Sequence, residues 1–270
     1  MNILGAIFSE LDVRDYKAVC TSANRIFPKT FELQMVRVKN QGLVGSCVAH
    51  ALSTVVEYYN YIQNKSKEEM SVGYIYGNRN LSFHKSSGMI VRDALATLKL
   101  YGDVEKKDFP DNIEVPFAID KFNKQADDLY EKGYPNRISS YYRLKTKNDI
   151  KAALLSKNPV VMAIKWYGDM KVVDGILTTK YQKYRGGHCM VIYGWNEKGW
   201  KVQNSWGKSW GENGTCIIPY DMKLEEAWMV GDNITDNMTI KKPFASQTGQ
   251  SIAKVLNNLG KAMNFNKKQS

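Results

Sequence analysis

A glycine-rich turn leads directly into an apolar run in the segment Gln41-Gly-Leu-Val-Gly-Ser-Cys47-Val-Ala-His-Ala-Leu-Ser-Thr-Val-Val-Glu-Tyr-Tyr59. From Cys47 onward, apolar residues fall on nearly every side of a helix, which predicts a buried central helix. Cys47 stands at its first turn, where unpaired N–H groups and the helix dipole favour negative charge. We therefore expect a cysteine with a lowered pKa, because the thiolate is the nucleophile.

Two later segments supply partners for such a nucleophile. Gly186-Gly187-His188 begins a predicted strand, and Asn204-Ser-Trp206-Gly closes the next strand. A neighbouring imidazole promotes ionisation of the thiol and later gives a proton to the leaving amine. The amide oxygen of Asn204 can hold that ring in one tautomer without adding a charge. Because paired strands bring distant residues side by side, we expect His188 and Asn204 to be neighbours.

The negative oxygen that forms during attack on a carbonyl needs hydrogen-bond donors. The backbone N–H of Cys47 is one candidate, and the side-chain amide of Gln41 is the second. Trp206 is expected to cover the His188–Asn204 hydrogen bond and keep water from competing for it.

Composition limits the class of protein. The chain has 270 residues, of which 43% are hydrophobic and 24% are charged, so we expect a globular fold. Apolar runs are too short to span a bilayer, and the N-terminus lacks a basic leader before its apolar residues. We therefore expect the chain in the cytoplasm or in a virion or other large assembly.

The cysteine and histidine content argues against a metal site. The four cysteines (Cys20, Cys47, Cys189 and Cys216) form no CxxC pair, and the chain has three histidines. We predict that the enzyme needs no metal or organic cofactor. Cys189 and Cys216 are predicted to be buried free thiols, with a disulfide between them as the alternative. His50 is predicted to be a satisfied core histidine, although it is a rival base.

The period of the apolar pattern changes along the chain. Helical patterns dominate the first half, including a capping box at Thr146-Lys-Asn-Asp149, and short strands dominate the second half. Helices followed by strands predict an α+β fold with two lobes. The predicted divisions are an N-terminal extension (1–26), a helical lobe with the nucleophile (27–134), a β-rich lobe (135–234) and a basic tail (235–270).

The basic tail has its own pattern. Residues 241–270 hold six lysines and no acid, which is six of the eleven net positive charges, so the body is only mildly basic. We therefore do not predict nucleic-acid binding by the body. Apolar residues in the tail fall on one helical face (Ile252, Val255, Leu256, Leu259 and Met263). This pattern predicts either a marginal helix or a docking helix for an assembly partner or an anionic polymer.

The ordered motifs resemble those of papain-like cysteine peptidases, the C1 family. These motifs are Gln-x5-Cys before a helix, Gly-His before a strand, and Asn-Ser-Trp-Gly after the next strand. Asp12-Val-Arg-Asp-Tyr16 and Ser87-Gly88-Met-Ile-Val-Arg-Asp93 are similar to segments of the bacterial and archaeal branch. The resemblance extends over about residues 8–232.

The resemblance implies a two-lobed fold, with a helical lobe, an antiparallel β-barrel-like lobe and an active site in the cleft between them. It implies peptide-bond hydrolysis through an acyl-thioester, with Cys47 as nucleophile, His188 as base and acid, Asn204 as orienting residue and Gln41 as oxyanion donor. Three further residues are then expected to contact an extended peptide or protein substrate (Gly88, Met89 and Gly187).

Some positions depart from the pattern of secreted members. Val48 stands where many of them have tryptophan, and Val44 stands where they have a disulfide cysteine. The body is expected to begin near Phe27, and the roughly 26 residues before it are fewer than a usual pro-region has. We therefore expect no autoinhibition of the usual kind. The alternatives to a free endopeptidase are an inactive adaptor with this fold, for example in a virus particle, and a peptidase of cell-wall cross-links.

Overall fold

The computed structural model describes residues 3–12, 15, 26–79, 87–111 and 127–232. The predicted tail helix and Cys20 lie outside these residues. None of the described helices is long and apolar enough to cross a membrane. The helices whose two ends lie in the described residues are α1 (Cys47–Asn64), α2 (Val72–Gly77), α3 (Val91–Tyr101) and α4 (Lys147–Leu155).

Within the described residues the sheet has eleven strands, most of them in the second half of the chain. Eight strands follow the order β4-β11-β5-β8-β9-β10-β7-β6, and three short strands lie off this path, since β1 and β2 pair with β8 and β3 pairs with β1. The strands are β1 (Ala6–Ile7), β2 (Phe31–Glu32), β3 (Met89–Ile90), β4 (Ser140–Arg143), β5 (Val160–Tyr167), β6 (Lys171–Val173), β7 (Ile176–Thr178), β8 (Tyr184–Trp195), β9 (Gly199–Gln203), β10 (Thr215–Pro219) and β11 (Glu226–Gly231). The protein is α+β and two-lobed, as the sequence predicts; the lobe boundary near residue 134 stays a prediction.

Helix α1 is the buried centre of the fold. Its first thirteen residues, from Cys47 to Tyr59, are all buried, because apolar side chains surround the helix. The helix ends at Lys65, which adopts a left-handed conformation and closes the last turn. Helix α4 begins with the predicted capping box, in which Thr146 and Asp149 bond each other's backbone N–H. Local sequence signals therefore determine where α4 begins.

Strand β8 is the central strand of the sheet and carries the predicted histidine. It pairs antiparallel with β5 on one side and with β9 on the other. Because β9 lies between β8 and β10, Cys189 and Cys216 are on strands that do not pair directly. Both are buried free thiols, so the disulfide alternative is wrong.

A buried ion pair holds α1 against the loop that leads to Gln41. Lys39 Nζ lies 2.6 Å from Glu57 Oε1, and both side chains are less than 10% exposed. Glu57 Oε1 also accepts the backbone N–H of Met70 at 2.9 Å. Removal of one partner from a buried pair leaves an uncompensated charge, so this pair resists movement of α1 relative to residues 39–41.

We predict that Lys39→Met lowers the free energy of unfolding by on the order of 3 kcal/mol, because the buried Glu57 then loses its closer cation and keeps only Arg37, whose Nε is 3.5 Å from Glu57 Oε2. Urea unfolding followed by circular dichroism measures the change. Lys29→Met is the matched control, since its ion pair with Glu197 is exposed and is expected to contribute less than about 1 kcal/mol. Equal effects of the two substitutions would contradict the assignment of a stabilising role to the buried pair.

Candidate active site

Cys47 is the first residue of α1 and lies against β8. Its side chain is fully buried. The backbones of Cys189 and Gly5 lie beside its sulfur, and their N–H groups act to lower the pKa of the thiol. Because Cys189 directly follows His188, the sulfur lies beside the strand that carries the predicted base. The structure thus brings together the two segments that the sequence selected.

His188 and Asn204 are hydrogen-bonded neighbours, as predicted from the pairing of their strands. His188 Nε2 lies 2.7 Å from Asn204 Oδ1. The N–H of Ser205 also donates to Asn204 Oδ1, at 2.7 Å, which fixes the amide. Within the described part of the chain, His188 Nδ1 is buried and has no hydrogen-bond partner. That nitrogen is therefore the one available to exchange a proton with a thiol.

Two tryptophans enclose the imidazole. Trp206 stacks on His188 with ring centroids 4.4 Å apart and an interplanar angle of 24°. Trp166 meets the same ring edge-on, with centroids 5.2 Å apart. The sequence predicts the cover by Trp206 but not the contact from Trp166. The latter follows from the β5–β8 register, which puts Trp166 opposite Gly186, two residues from His188.

Gln41 is fixed by hydrogen bonds at both ends of its amide. Its Oε1 accepts from Ser205 Oγ at 2.7 Å and from Trp206 Nε1 at 3.1 Å. This leaves Nε2 as the donor toward the cleft, where it bonds Ile3 O and Val44 O, each at 2.8 Å. The N–H groups of the predicted oxyanion donor are therefore occupied by two carbonyls of this chain.

The N-terminal segment, which we define as residues 3–9, occupies the cleft. Ala6 and Ile7 pair parallel with β3, and Ala6 pairs antiparallel with Gly187 of β8. Met89 N–H donates to Gly5 O at 2.9 Å. Gly88, Met89 and Gly187 were predicted to contact substrate, and in this structure the N-terminal segment contacts them instead.

Glycines allow this close approach. A Cβ atom on Gly5 would lie 1.8 Å from Gly45 O, so no other residue fits at position 5 without moving the segment. Gly88 has a φ of +113°, and a Cβ there would lie 2.8 Å from Gly5 O. Residues 5–7 therefore pair with the groups that were predicted to bind substrate, although the stretch before Phe27 is shorter than a usual pro-region. The sequence does not predict this pairing, because a two-residue strand that pairs through its backbone leaves almost no pattern in the side chains.

Burial of the site determines its charge state. Burial raises the pKa of Cys47 from its ordinary value to about 11, against the opposing effect of the N–H groups of Cys189 and Gly5. Burial also lowers the pKa of His188 to about 4, although the hydrogen bond that the ring donates to Asn204 Oδ1 favours the charged ring. Both groups are therefore neutral at pH 7 in this structure. Burial thus opposes the resting thiolate that the sequence predicts, because water is excluded from the sulfur.

The rival base has no such role. His50 is buried, and its Nδ1 lies 3.0 Å from Ser46 O and 3.2 Å from Ser46 Oγ. Burial lowers the pKa of His50 to about 4. It is a satisfied core histidine, as predicted. In the described ranges, no group of three or more His, Cys, Asp and Glu side chains is arranged to hold a metal ion.

Known proteins are similar to this chain in sequence and in fold. The sequence model described as "Papain family cysteine protease" matches residues 28–230. An uncharacterized peptidase C1-like protein of Acanthamoeba polyphaga mimivirus is 26% identical over 261 residues, which are 85% of this chain and 82% of that protein. Cathepsin O of Mus musculus is 28% identical over 186 residues, which are 67% of this chain and 58% of that protein.

Solved structures extend the likeness to the fold. Xylellain, a cysteine protease from Xylella fastidiosa, superimposes with a TM-score of 0.71. The superposition covers 85% of this chain and 96% of xylellain, at 23% sequence identity. At that identity the likeness establishes the fold alone.

We predict that alkylation of Cys47 by iodoacetamide in the intact protein is slow at pH 7 and accelerates continuously up to about pH 11. The sign follows from the raised pKa, since the thiol is protonated at neutral pH and the reactive thiolate forms only as the pH rises toward 11. Mass spectrometry of the modified peptide measures the rate, and Cys47→Ser identifies the signal. A rate that is already maximal at pH 6 would contradict the neutral state.

Proposed function

This chain belongs to the papain family of cysteine proteases, and we propose that Cys47, His188, Asn204 and Gln41 carry out its hydrolysis of peptide bonds. Cys47 is the nucleophile, and His188 takes and returns the proton. Asn204 orients the imidazole, and Gln41 donates to the oxyanion. The observation that carries this proposal is the 2.7 Å hydrogen bond between His188 Nε2 and Asn204 Oδ1, which leaves Nδ1 without a partner among the described residues and free to take a proton.

The chemistry requires that the cleft be open. Water and substrate then replace the N-terminal segment, and the desolvation that keeps both groups neutral decreases. The proton of the Cys47 thiol passes to His188 Nδ1, which gives a thiolate and an imidazolium ion. The hydrogen bond to Asn204 stabilises that imidazolium without a buried negative charge. The start of α1 stabilises the thiolate through its unpaired N–H groups.

Attack on a peptide then proceeds in two steps. The sulfur adds to the carbonyl carbon, and the negative oxygen accepts from the Cys47 N–H and from Gln41 Nε2. His188 gives its proton to the leaving amine, the C–N bond breaks, and an acyl-thioester remains. A water molecule gives a proton to His188 and adds to the acyl carbon. The thioester breaks and releases the acid, and the thiol is restored.

Substrate recognition by strand addition is the second part of the proposal. Gly88, Met89 and Gly187 present backbone groups on both walls of the cleft, and residues 5 and 6 already use them in strand pairing. An extended peptide can use the same groups, because main-chain hydrogen bonds supply affinity whatever the side chains are. The predicted partner of the 241–270 tail, an assembly or an anionic polymer, stays a prediction, because those residues lie outside the described structure.

We predict that Cys47→Ala abolishes hydrolysis of an unstructured protein such as casein, and that Gln41→Ala lowers kcat by about 10²–10³-fold. Cys216→Ala is the matched control, because it makes the same change at a buried thiol away from the site. All rates are compared with the parent chain, so occupancy of the cleft by residues 3–9 is the same in each. Turnover by Cys47→Ala at the parent rate would overturn the proposal.

A further inference from the structure

We propose that the basic loop, which we define as residues 180–185, is a docking surface beside the cleft for acidic stretches of a polypeptide substrate. The inference rests on the proposed function, because it takes the substrate to be a polypeptide that pairs with Gly187. It adds what that function leaves open, namely which polypeptides reach the cleft most readily. The observations that carry it are the charge, the conformation and the position of the loop.

The basic loop presents positive charge to solvent. All six of its residues are exposed, and they include three cations and no acid (Lys180, Tyr181, Gln182, Lys183, Tyr184 and Arg185). Within the described part of the chain, Lys180 and Lys183 form no ion pair. Other lysines of this protein do pair with acids, as Lys132 does with Asp108 at 3.0 Å. The ammonium groups of Lys180 and Lys183 are therefore available to a ligand.

Asp169 fixes the loop through its backbone. Its Oδ1 accepts the N–H of Gln182 at 2.9 Å, and its Oδ2 accepts the N–H of Lys180. Thr179 Oγ1 donates to the same carboxylate at 3.1 Å. These donors, the N–H of Lys180 first, hold the pKa of Asp169 below its ordinary value. The carboxylate is therefore ionised at neutral pH and stays bonded to the backbone of the loop.

The conformation of the loop is preformed. Tyr181 and Lys183 have φ values of +59° and +51°, in the left-handed region that residues with a side chain rarely adopt. The N–H of Gly168 donates to Lys183 O at 2.9 Å. The rings of Tyr181 and Tyr184 each meet Tyr167 edge-on, with centroids 5.3 and 6.0 Å apart. Both tyrosines remain 54% exposed, so the loop offers aromatic surface with little conformational freedom left to lose on binding.

The loop leads directly into a wall of the cleft. Strand β8 begins at Tyr184, and Gly187, which is proposed to pair with substrate, lies three residues further along the same strand. A strand rises about 3.3 Å per residue, so Tyr184 lies roughly 10 Å from that wall. An extended peptide that pairs with Gly187 therefore reaches the basic loop within a few residues.

An acidic stretch of polypeptide is the ligand that these groups fit. Carboxylates accept hydrogen bonds from ammonium groups and from tyrosine hydroxyl groups, and the loop presents both. Complementary charge at the rim of a site raises the association rate and selects among partners. A nucleic acid has the same sign of charge, but it cannot continue into the cleft as a β-strand.

The first test measures binding without turnover. Full-length Cys47→Ala is titrated at low ionic strength against a fluorescein-labelled peptide of alternating glutamate and serine, and fluorescence anisotropy gives Kd. We expect this peptide to bind about tenfold more tightly than the same peptide with glutamine in place of glutamate. The double substitution Lys180→Glu with Lys183→Glu is expected to remove that preference.

The matched control is Lys65→Glu with Lys67→Glu. It makes the same charge change at two exposed lysines that follow the end of α1 opposite Cys47, and Lys65 is left-handed as Lys183 is. We expect this variant to keep the preference. The lysines of residues 241–270 are present in every sample, so a difference between variants belongs to the substituted positions.

Three results would overturn the inference. Equal affinities for the glutamate and glutamine peptides would contradict the docking surface, and an equal loss in the two double variants would contradict its location. Tighter binding of a single-stranded RNA than of the glutamate peptide, lost in Lys180→Glu with Lys183→Glu, would contradict the choice of partner.

A second test connects the surface to hydrolysis. The parent chain receives one peptide substrate with either a glutamate-rich or a glutamine-rich extension. We expect Lys180→Glu with Lys183→Glu to lower kcat/KM about tenfold for the first and to leave it unchanged for the second. Equal changes for both substrates would overturn the role in substrate choice. If the parent chain hydrolyses neither peptide, the proposed function fails, and the anisotropy measurement still decides whether the docking surface exists.

Discussion

The contact between the start of α1 and strand β8 is the constraint on which the site depends. It puts the Cys47 sulfur within hydrogen-bonding reach of the Cys189 N–H, one residue from His188. The rest of the arrangement supports this contact. The ion pair of Lys39 and Glu57 fixes α1 against the loop of Gln41, and Gln41 is in turn bonded to Ser205 and Trp206 on the opposite wall. A shift of the helix would therefore disturb both the nucleophile and the oxyanion donor.

Solvent access determines the charge state of this site. The same thiol and imidazole form an ion pair only when water or a polar substrate can stabilise the two charges. With residues 3–9 in the cleft, burial keeps the thiol protonated and the ring neutral. The N-terminal segment thus has two effects on the site, since it pairs with the backbone groups predicted to bind substrate and also excludes the water that would solvate a thiolate. A single displacement reverses both effects.

The N-terminal segment and the cleft fit each other through contacts that no sequence motif predicts. Gly5 meets Gly45 with no room for a Cβ atom, and the buried Glu226 receives the N–H of Ser9. Such contacts join residues that are 40 to more than 200 positions apart in sequence. They require that the fold bring a backbone donor next to a buried acceptor, and one glycine next to another.

The sequence by itself determined the α+β class, the helix that begins at Cys47, and the pairing of His188 with Asn204 under Trp206. Those features depend on local patterns, namely the apolar period, capping residues and alternation along paired strands. Such patterns can be recognised in the sequence without knowledge of the tertiary structure. Tertiary structure alone decided the contact from Trp166, the occupant of the cleft and the protonation of Cys47 and His188. The reason is that backbone pairing between distant segments leaves little trace in side-chain identity, and that a pKa depends on what excludes water from the group.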